Sequence, residues 1–467
     1  MNQQTRIAVL GAGPSGLAQL RAFQTLRDQG KEIPEIVCYE KQEDWGGMWR
    51  YNWETCTDRN GEPVHGSMYR FLWINAPKEA LEFGDYTFDE HFKEPIPSYV
   101  PRAVLKEYVI SRVEKNNIRQ YIRFNHAVRW VEYNEESEKF TVSVMDHNKN
   151  KLITEVFDYV VCATGHFSTP NIPRFDGLSM SSGRVLHSHE FRDAREFKDQ
   201  DVLIIGSSYS AEDIGTQCFK YGAKSITFSY RTNPIGHDWP EGFTEVPLLE
   251  RMDDDIAHFK DGTQKKIDSV ILCTGFKFNF PFLHDNVRLV AKESIYPENL
   301  YKGVCFIDNP KMFYVGMQNQ YYTFNMFDTQ AWTVRDIIMG TQKLPSKEEM
   351  RKDSQKWIDR LEKLSTDHEF IDYQASYIQD LLQGTDYPDF HVHEQGLILK
   401  SWQEDKKEDI MGFRNKSYSS TITGTLASAL PKPWMEIMDD SYRGFMAQEF
   451  VEAEEDALTG EPVECEK

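Results

Sequence analysis

Two stretches of this chain share one plan. "RIAVLGAGPSGLAQL" begins at Arg6, and "DVLIIGSSYSAEDIG" begins at Asp201. In each, an apolar run leads into a loop of small residues and then into a helical pattern, and a further apolar run follows at residues 36–39 and 225–230. Strand, tight turn, helix and strand open a parallel βαβ unit, and the turn of such a unit is where a pyrophosphate binds. In the first turn Gly11 permits the bend, Gly13 lets the backbone approach the pyrophosphate, and Gly16 lets the helix lie close to the strand. The helix start offers free N–H groups and the positive end of its dipole. Glu40 closes the second strand, where acids bind ribose hydroxyls.

The second turn keeps Gly206 but has Ser208 and Ala211 at the other two glycine positions. Serine hydroxyls donate to phosphate themselves, and alanine is small enough for helix and strand to sit close. Taken alone, the turn reads either as a looser dinucleotide site or as an ordinary turn. The end of its second strand favours the former, because Arg231 and Thr232 stand there in place of an acid. A carboxylate repels a 2′-phosphate and an arginine attracts one, so the cofactor expected here is NADP(H), with a plain strand-end cation as the other reading of Arg231. Two such sites imply an electron path between two cofactors, with FAD in the first and NADPH in the second. The fold class expected is α/β, with two Rossmann-like dinucleotide-binding domains and the smaller NADP domain inserted in the FAD domain. Residues 1–170 make the first part of the FAD domain and 171–280 the NADP domain. Residues 281–450 make the second part of the FAD domain with a helical C-terminal region, and 451–467 an acidic tail. A strand ending in Thr-Gly follows each unit, at Gly165 and at Gly275, so the architecture is duplicated although the sequence is not.

Composition removes several function classes. Lys and Arg number 53 against 74 Asp and Glu, a net charge of −21, which argues against a nucleic-acid partner. No apolar run approaches the roughly 18 residues that a membrane helix needs, and the first residues lack a secretory pattern, so a cytoplasmic protein without a membrane partner is expected. The seven cysteines form no Cys-x-x-Cys pair, as in a reduced compartment and without structural zinc. His187/His189 and His391/His393 lack further ligands, and no metal is expected. Residues 45–100, aromatic and proline-rich, read as loops with short helices. Residues 103–116, 347–363 and 370–382 read as helices, and "AVRWVEY" with "FTVSVMD" as a hairpin or meander.

Several motifs carry a family resemblance. "EKQEDWGGMW", at residues 40–49, is similar to the stretch that follows the first Rossmann unit in flavin-containing monooxygenases. "ATG" and "CTGF" resemble the crossovers of that family. "GRVLHSHEF", at residues 183–191, matches most of its signature, with Ser181 where an aromatic is usual. "SMYRFLWINAPKE", "GSSYSAEDIG" and "GMQNQYYTFNMFD" are similar to the bacterial trimethylamine monooxygenases within it. The resemblance covers the chain to about residue 450. It implies that reduced flavin adds O2 to give a C4a-hydroperoxide, whose distal oxygen passes to an amine nitrogen, as in trimethylamine to its N-oxide, or to a sulfide. The cofactor then does the hard step, the protein excludes water, and NADP+ stays bound. A homodimer acting on a small amine or sulfide and O2 is expected.

The resemblance also assigns residues, each with a plain structural alternative. Asn75 is the amide beside flavin and nicotinamide, or the cap of a turn before Pro77. Trp73, two residues earlier, walls the nicotinamide side or fills the core. Tyr209 is the tyrosine of the cofactor cleft, and Trp402 with Tyr321 and Tyr322 are candidates for an aromatic cage; each of these also reads as core. FAD is assigned Ser15, Glu40, Gln42, Gly47, Met48, Trp49, His65, Val128, Gln320 and Thr323 besides the first turn. NADP is assigned Ser207, Ser208, Tyr209, Ser210, Arg231, Thr232 and Arg414. Three rivals use the same architecture. A disulfide reductase needs a cysteine pair near the first unit, where only Cys56 stands. A Baeyer–Villiger monooxygenase and a flavin/NADP sensor without turnover are the others.

Overall fold

The apolar run at the start of the chain becomes a strand buried on both faces, which is why it reads as a continuous run rather than an alternation. In the computed structural model, which describes residues 4–292 and 294–448, the acidic tail of residues 451–467 lies outside the described residues. The strand, β1 (Arg6–Leu10), pairs in parallel with β2 (Glu35–Tyr39), and β2 with β3 (Ile122–Arg123). A three-stranded antiparallel meander follows, of β4 (His126–Asn134), β5 (Lys139–Asp146) and β6 (Lys151–Phe157). The chain then returns as β7 (Tyr159–Cys162), parallel to β1 on its other side.

From there the chain leaves the first sheet and builds a second. Its strands are β8 (Arg184–His187), β9 (Asp201–Ile205), β10 (Ser225–Tyr230), β11 (Phe243–Pro247) and, after another meander, β15 (Ser269–Leu272). That meander is β12 (Leu249–Asp253), β13 (Ile256–Phe259) and β14 (Gln264–Lys266). All five strands of the sheet run parallel, in the order β11-β10-β9-β15-β8. The chain then re-enters the first sheet through β16 (Leu300–Tyr301), β17 (Cys305–Phe306) and β18 (Met312–Tyr314), with β18 parallel to β7. Each unit is thus strand, turn, helix, strand, meander and a strand ending in Thr-Gly. The two crossing segments pair with each other: Asn171 N donates to Gly275 O at 2.9 Å, and Thr274 Oγ1 to Asn171 O at 2.6 Å.

The helices set the layers. α1 (Pro14–Asp28) starts with proline in its first turn, where the missing N–H costs nothing. Then come α2 (Phe88–Phe92), α3 (Arg102–Lys115), α4 (Tyr209–Lys220), α5 (Phe324–Ile338), α6 (Lys347–Leu361), α7 (Asp367–Leu382), α8 (Val392–Glu408) and α9 (Tyr442–Ala447). α5 is buried from Phe324 to Ile337, packed against α1 and α7. Its polar residues are paired inside: Asp328 accepts from both terminal nitrogens of Arg112, at 3.1 and 2.7 Å, and Gln330 Oε1 from Gly316 N at 2.8 Å. Among the described residues no helix is long and apolar enough to cross a membrane, and six cysteines are unpaired.

Candidate active site

The first glycine turn owes its residues to contacts that leave no room for a Cβ. Gly11 has φ +99°, and a Cβ there would lie 2.7 Å from Ala163 O, just past β7. On Gly16 it would lie 1.9 Å from Gly11 O, and on Gly47 2.7 Å from Gly13 Cα. The segment around Gly47 is therefore pressed backbone to backbone against Gly13. It turns as a short 3-10 helix, Gly47–Trp49, that half-exposes Met48 and Trp49, with the Trp49 ring edge-on to Phe324 at 6.2 Å.

Glu40 is buried at the end of β2 and accepts from Ala12 N at 2.7 Å and Gln42 N at 2.8 Å. Burial raises its carboxyl pKa, against the two N–H donors that favour the charge. Ser15 is buried behind the turn, so close to Gly316 that a Cβ there would meet Ser15 Oγ at 2.3 Å. Beside the crossover, His65 is pushed down to about 4, by burial first and then by Lys41 and His189, and stays neutral near pH 7. Val128 is half-buried at the bulge of β4. Gln320 Oε1 is a buried acceptor without a donor, and Thr323 caps α5 without spending its hydroxyl there. A ring N–H is the donor that Gln320 lacks, so the cradle and the orphan acceptor together fit a flavin nucleotide.

The second turn repeats the first at one glycine and relaxes the others. Gly206 has φ +138°, and a Cβ would meet Cys273 O at 2.2 Å, the counterpart of Ala163 O. Ser208 is extended, φ −127° and ψ −176°, so its backbone requires no glycine there. Ser207, Ser208 and Ser210 are exposed at the start of α4, and Ser208 makes no capping bond. Arg231 and Thr232 are exposed directly after β10. Among the described residues no carboxylate pairs with Arg231. The loop beyond is held by Glu245, which accepts from Ile235 N, Gly236 N and Trp239 Nε1 at 2.6–2.9 Å. The second sheet's signature histidine, His187, bonds Gly275 O at 3.1 Å and so ties β8 to the second crossover.

Between the turns, Asn75 is exposed while Ile74 N donates to Val100 O at 3.0 Å. Trp73 is 1% exposed with its ring edge-on to Phe445 at 5.8 Å. Tyr209, the first residue of α4, accepts at its hydroxyl from Gln403 Nε2 at 2.7 Å and lies 5.7 Å from the Trp402 ring. Tyr321 is half-buried and donates to Asp367 at 2.7 Å, whereas Tyr322 is fully buried with its hydroxyl on Val392 O.

Lys406 Nζ lies 4.6 and 5.0 Å from the centroids of Tyr209 and Trp402, over one face of each ring. Lys406 is itself paired with Glu212. Arg414 is 2% exposed, with its guanidinium on Asp213 and Ile74 O and over Trp434 at 4.3 Å. The sequence reading missed Lys406, Gln403, Glu212 and Asp213. The signal available was the Glu212-Asp213 pair itself: two adjacent acids close to the start of a phosphate-binding helix call for buried cations.

Two dinucleotide turns on inserted parallel sheets, with an exposed amide between them, define a flavoprotein that draws electrons from a nicotinamide. The chain matches the family described as flavin-binding monooxygenase-like over residues 4–235 and 244–387, and it belongs to that family. It is a flavin-dependent monooxygenase with one site for FAD and one for NADP(H). It is 56% identical to the trimethylamine monooxygenase of Methylocella silvestris over 94% of this chain and 98% of that protein. It is 54% identical to the trimethylamine monooxygenase of a Roseovarius species, over 94% and 99%. The crystal structure of Tmm from a Pelagibacter species superposes with a TM-score of 0.93 at 49% identity, covering 94% of this chain and all of that one.

Proposed function

We propose that this protein converts trimethylamine to trimethylamine N-oxide, with small sulfides as second substrates. The observation that carries the reading is the 56% identity along nearly the whole of both chains. The balance is amine plus O2, NADPH and a proton giving N-oxide, water and NADP+, with one oxygen atom in each oxygenated product. Bound flavin supplies the electron relay and the activated oxygen. The chain's own residues do the rest. Glu40 accepts from ribose hydroxyls, and the N-termini of α1 and α4 receive the two pyrophosphates. Arg231 and Thr232 take the 2′-phosphate. Asn75, exposed and free to donate and accept, orients the reacting rings.

The substrate's reactive form is the neutral amine, whose lone pair attacks oxygen. Lys406 over Tyr209 and Trp402 fits that need, since an ammonium already covers one face of each ring that would draw a cationic amine. The test is a turnover assay with NADPH in air, with trimethylamine, dimethyl sulfide and cyclohexanone as alternative substrates and products read by NMR. Trimethylamine N-oxide near one per NADPH is expected. Peroxide alone would overturn the reading, and a lactone from the ketone in preference to N-oxide would replace it with Baeyer–Villiger chemistry.

A further inference from the structure

Glu212, in the first turn of α4, and Asp213, the residue after it, lie just past the second phosphate turn, and both are buried. A helix start that receives a pyrophosphate dianion is a costly place for two carboxylates, because like charges repel at short range in a poorly solvated site. Each is neutralised by a cation from far along the chain. Glu212 pairs with Lys406 of α8, 194 residues on, and its other oxygen faces His237 Nε2 at 3.2 Å, in the loop that follows Arg231. Asp213 pairs with Arg414, 201 residues on, and accepts from the Tyr69 hydroxyl.

Arg414 does one thing more. Its Nε donates to Ile74 O at 3.3 Å, so a single guanidinium spans from Asp213 of α4 to the backbone beside Asn75. Its ring contact with Trp434, which Lys220 Nζ also overlies at 4.1 Å, fixes its direction. Lys406 reaches the start of α4 from the other side, under the ring of Tyr209, whose hydroxyl Gln403 holds. Residues 402–414 therefore grip the start of α4 at Tyr209, Glu212 and Asp213, and one of them also grips the backbone beside Asn75.

We propose that Arg414 and Lys406 are positioning residues: they set the register between the NADP-binding turn and Asn75, and they cancel the two carboxylates that would otherwise oppose the cofactor's phosphates. The inference rests on the FAD and NADP(H) reading of the two turns. It predicts two separable effects. Losing the Lys406 charge exposes Glu212 to the phosphates and weakens NADP+ binding. Losing the Arg414 bridge lets the two segments drift independently, so that reduced flavin releases peroxide instead of oxygenating amine.

The experiment uses the FAD-loaded full chain and its flavin-free form. Arg414→Gln, Arg414→Lys, Lys406→Met and the double variant Glu212→Gln/Lys406→Met are compared with wild type. In Arg414→Gln, peroxide released per NADPH should rise at least fivefold, and deuterium exchange should quicken together at residues 72–76 and 207–213 in the flavin-free protein. Arg414→Lys, which keeps the charge, should fall between this variant and wild type, and it carries both readouts if the glutamine variant does not fold. Lys406→Met should raise the NADP+ dissociation constant at least tenfold, and the double variant should recover most of that loss. Unchanged peroxide in both Arg414 variants, or faster exchange at 207–213 with 72–76 unaltered, overturns the bridge. A double variant as weak as Lys406→Met overturns the charge argument. If wild type makes no N-oxide, the proposed function fails, while the exchange data still decide the positioning.

Discussion

Arg231 stands exposed one residue past β10, where Glu40 stands buried past β2, and that single exchange of charge separates the two nucleotide sites. Glu40 is already held by two backbone donors, so its remaining acceptor capacity is aimed by the turn itself. Arg231 is free of carboxylates among the described residues, and the hold on a 2′-phosphate proposed for it rests on its place after β10. Arg231→Ala should therefore raise the Michaelis constant for NADPH by about 1.5–3 kcal/mol, tenfold or more, as a charge-assisted bond is lost. The constant for NADH should hardly move, and equal effects on both nucleotides would mean that Arg231 does not read the phosphate. Asn75 calls for a different measurement. Asn75→Ala removes an exposed amide and no packing, so stability and yellow colour should persist while N-oxide per NADPH drops severalfold and peroxide rises. A yield equal to wild type would leave Asn75 without a role in the reaction.

The glycines of the two turns work as elements rather than as residues, since each exists to let a helix or a crossover come close. A Cβ on Gly16 would sit 1.9 Å from Gly11 O, so Gly16→Ala must push α1 off β1, and the protein should be isolated colourless. Gly206→Ala would drive a Cβ to 2.2 Å from Cys273 O in the second sheet only. That variant should keep flavin absorbance and lose NADPH-dependent reduction, whereas loss of both would mean that the units do not bind separately. The strand–turn–helix–strand units and the meanders were legible because their periodicity and turn chemistry are local. α5 and α8 were not. α5 starts at Thr323 without a capping side-chain bond and buries polar residues among its apolar ones, Asn325, Asp328, Gln330 and Arg335, and α8 starts at His391 in a left-handed conformation without a capping side chain. The same limit applies to the site. Asn75 and the turns lie in recognisable stretches, but Lys406 and Arg414 acquire meaning only through Glu212 and Asp213, about two hundred residues away.

At the scale of the whole molecule, the seam between the two nucleotide units is lined by histidines that folding keeps uncharged. His166 follows the first crossover and His187 bonds the second, and burial pushes both down to about 4 from an ordinary value near 6.5. A folded-state value below the unfolded one means that the unfolded chain takes up protons first as pH falls. The histidine contribution is therefore full above about pH 6.5 and declines progressively between 6.5 and 4, while Asp328, raised to about 6 by burial, works in the opposite direction. Each histidine accounts for about 3 kcal/mol over that interval. Glu212 behaves differently, held at about 2 by Lys406 and His237 against burial; its contribution persists until the medium falls below about 4.5. The acid limb of stability should thus come in two steps, with the histidines first. Urea unfolding of the flavin-loaded protein at half-unit intervals from pH 8 to 4 would resolve it, and His166→Phe, which keeps a ring but cannot take a proton, should lose visibly less stability than wild type across pH 6.5 to 4. If variant and wild type run parallel through that range, the histidine seam is not what makes this fold acid-sensitive.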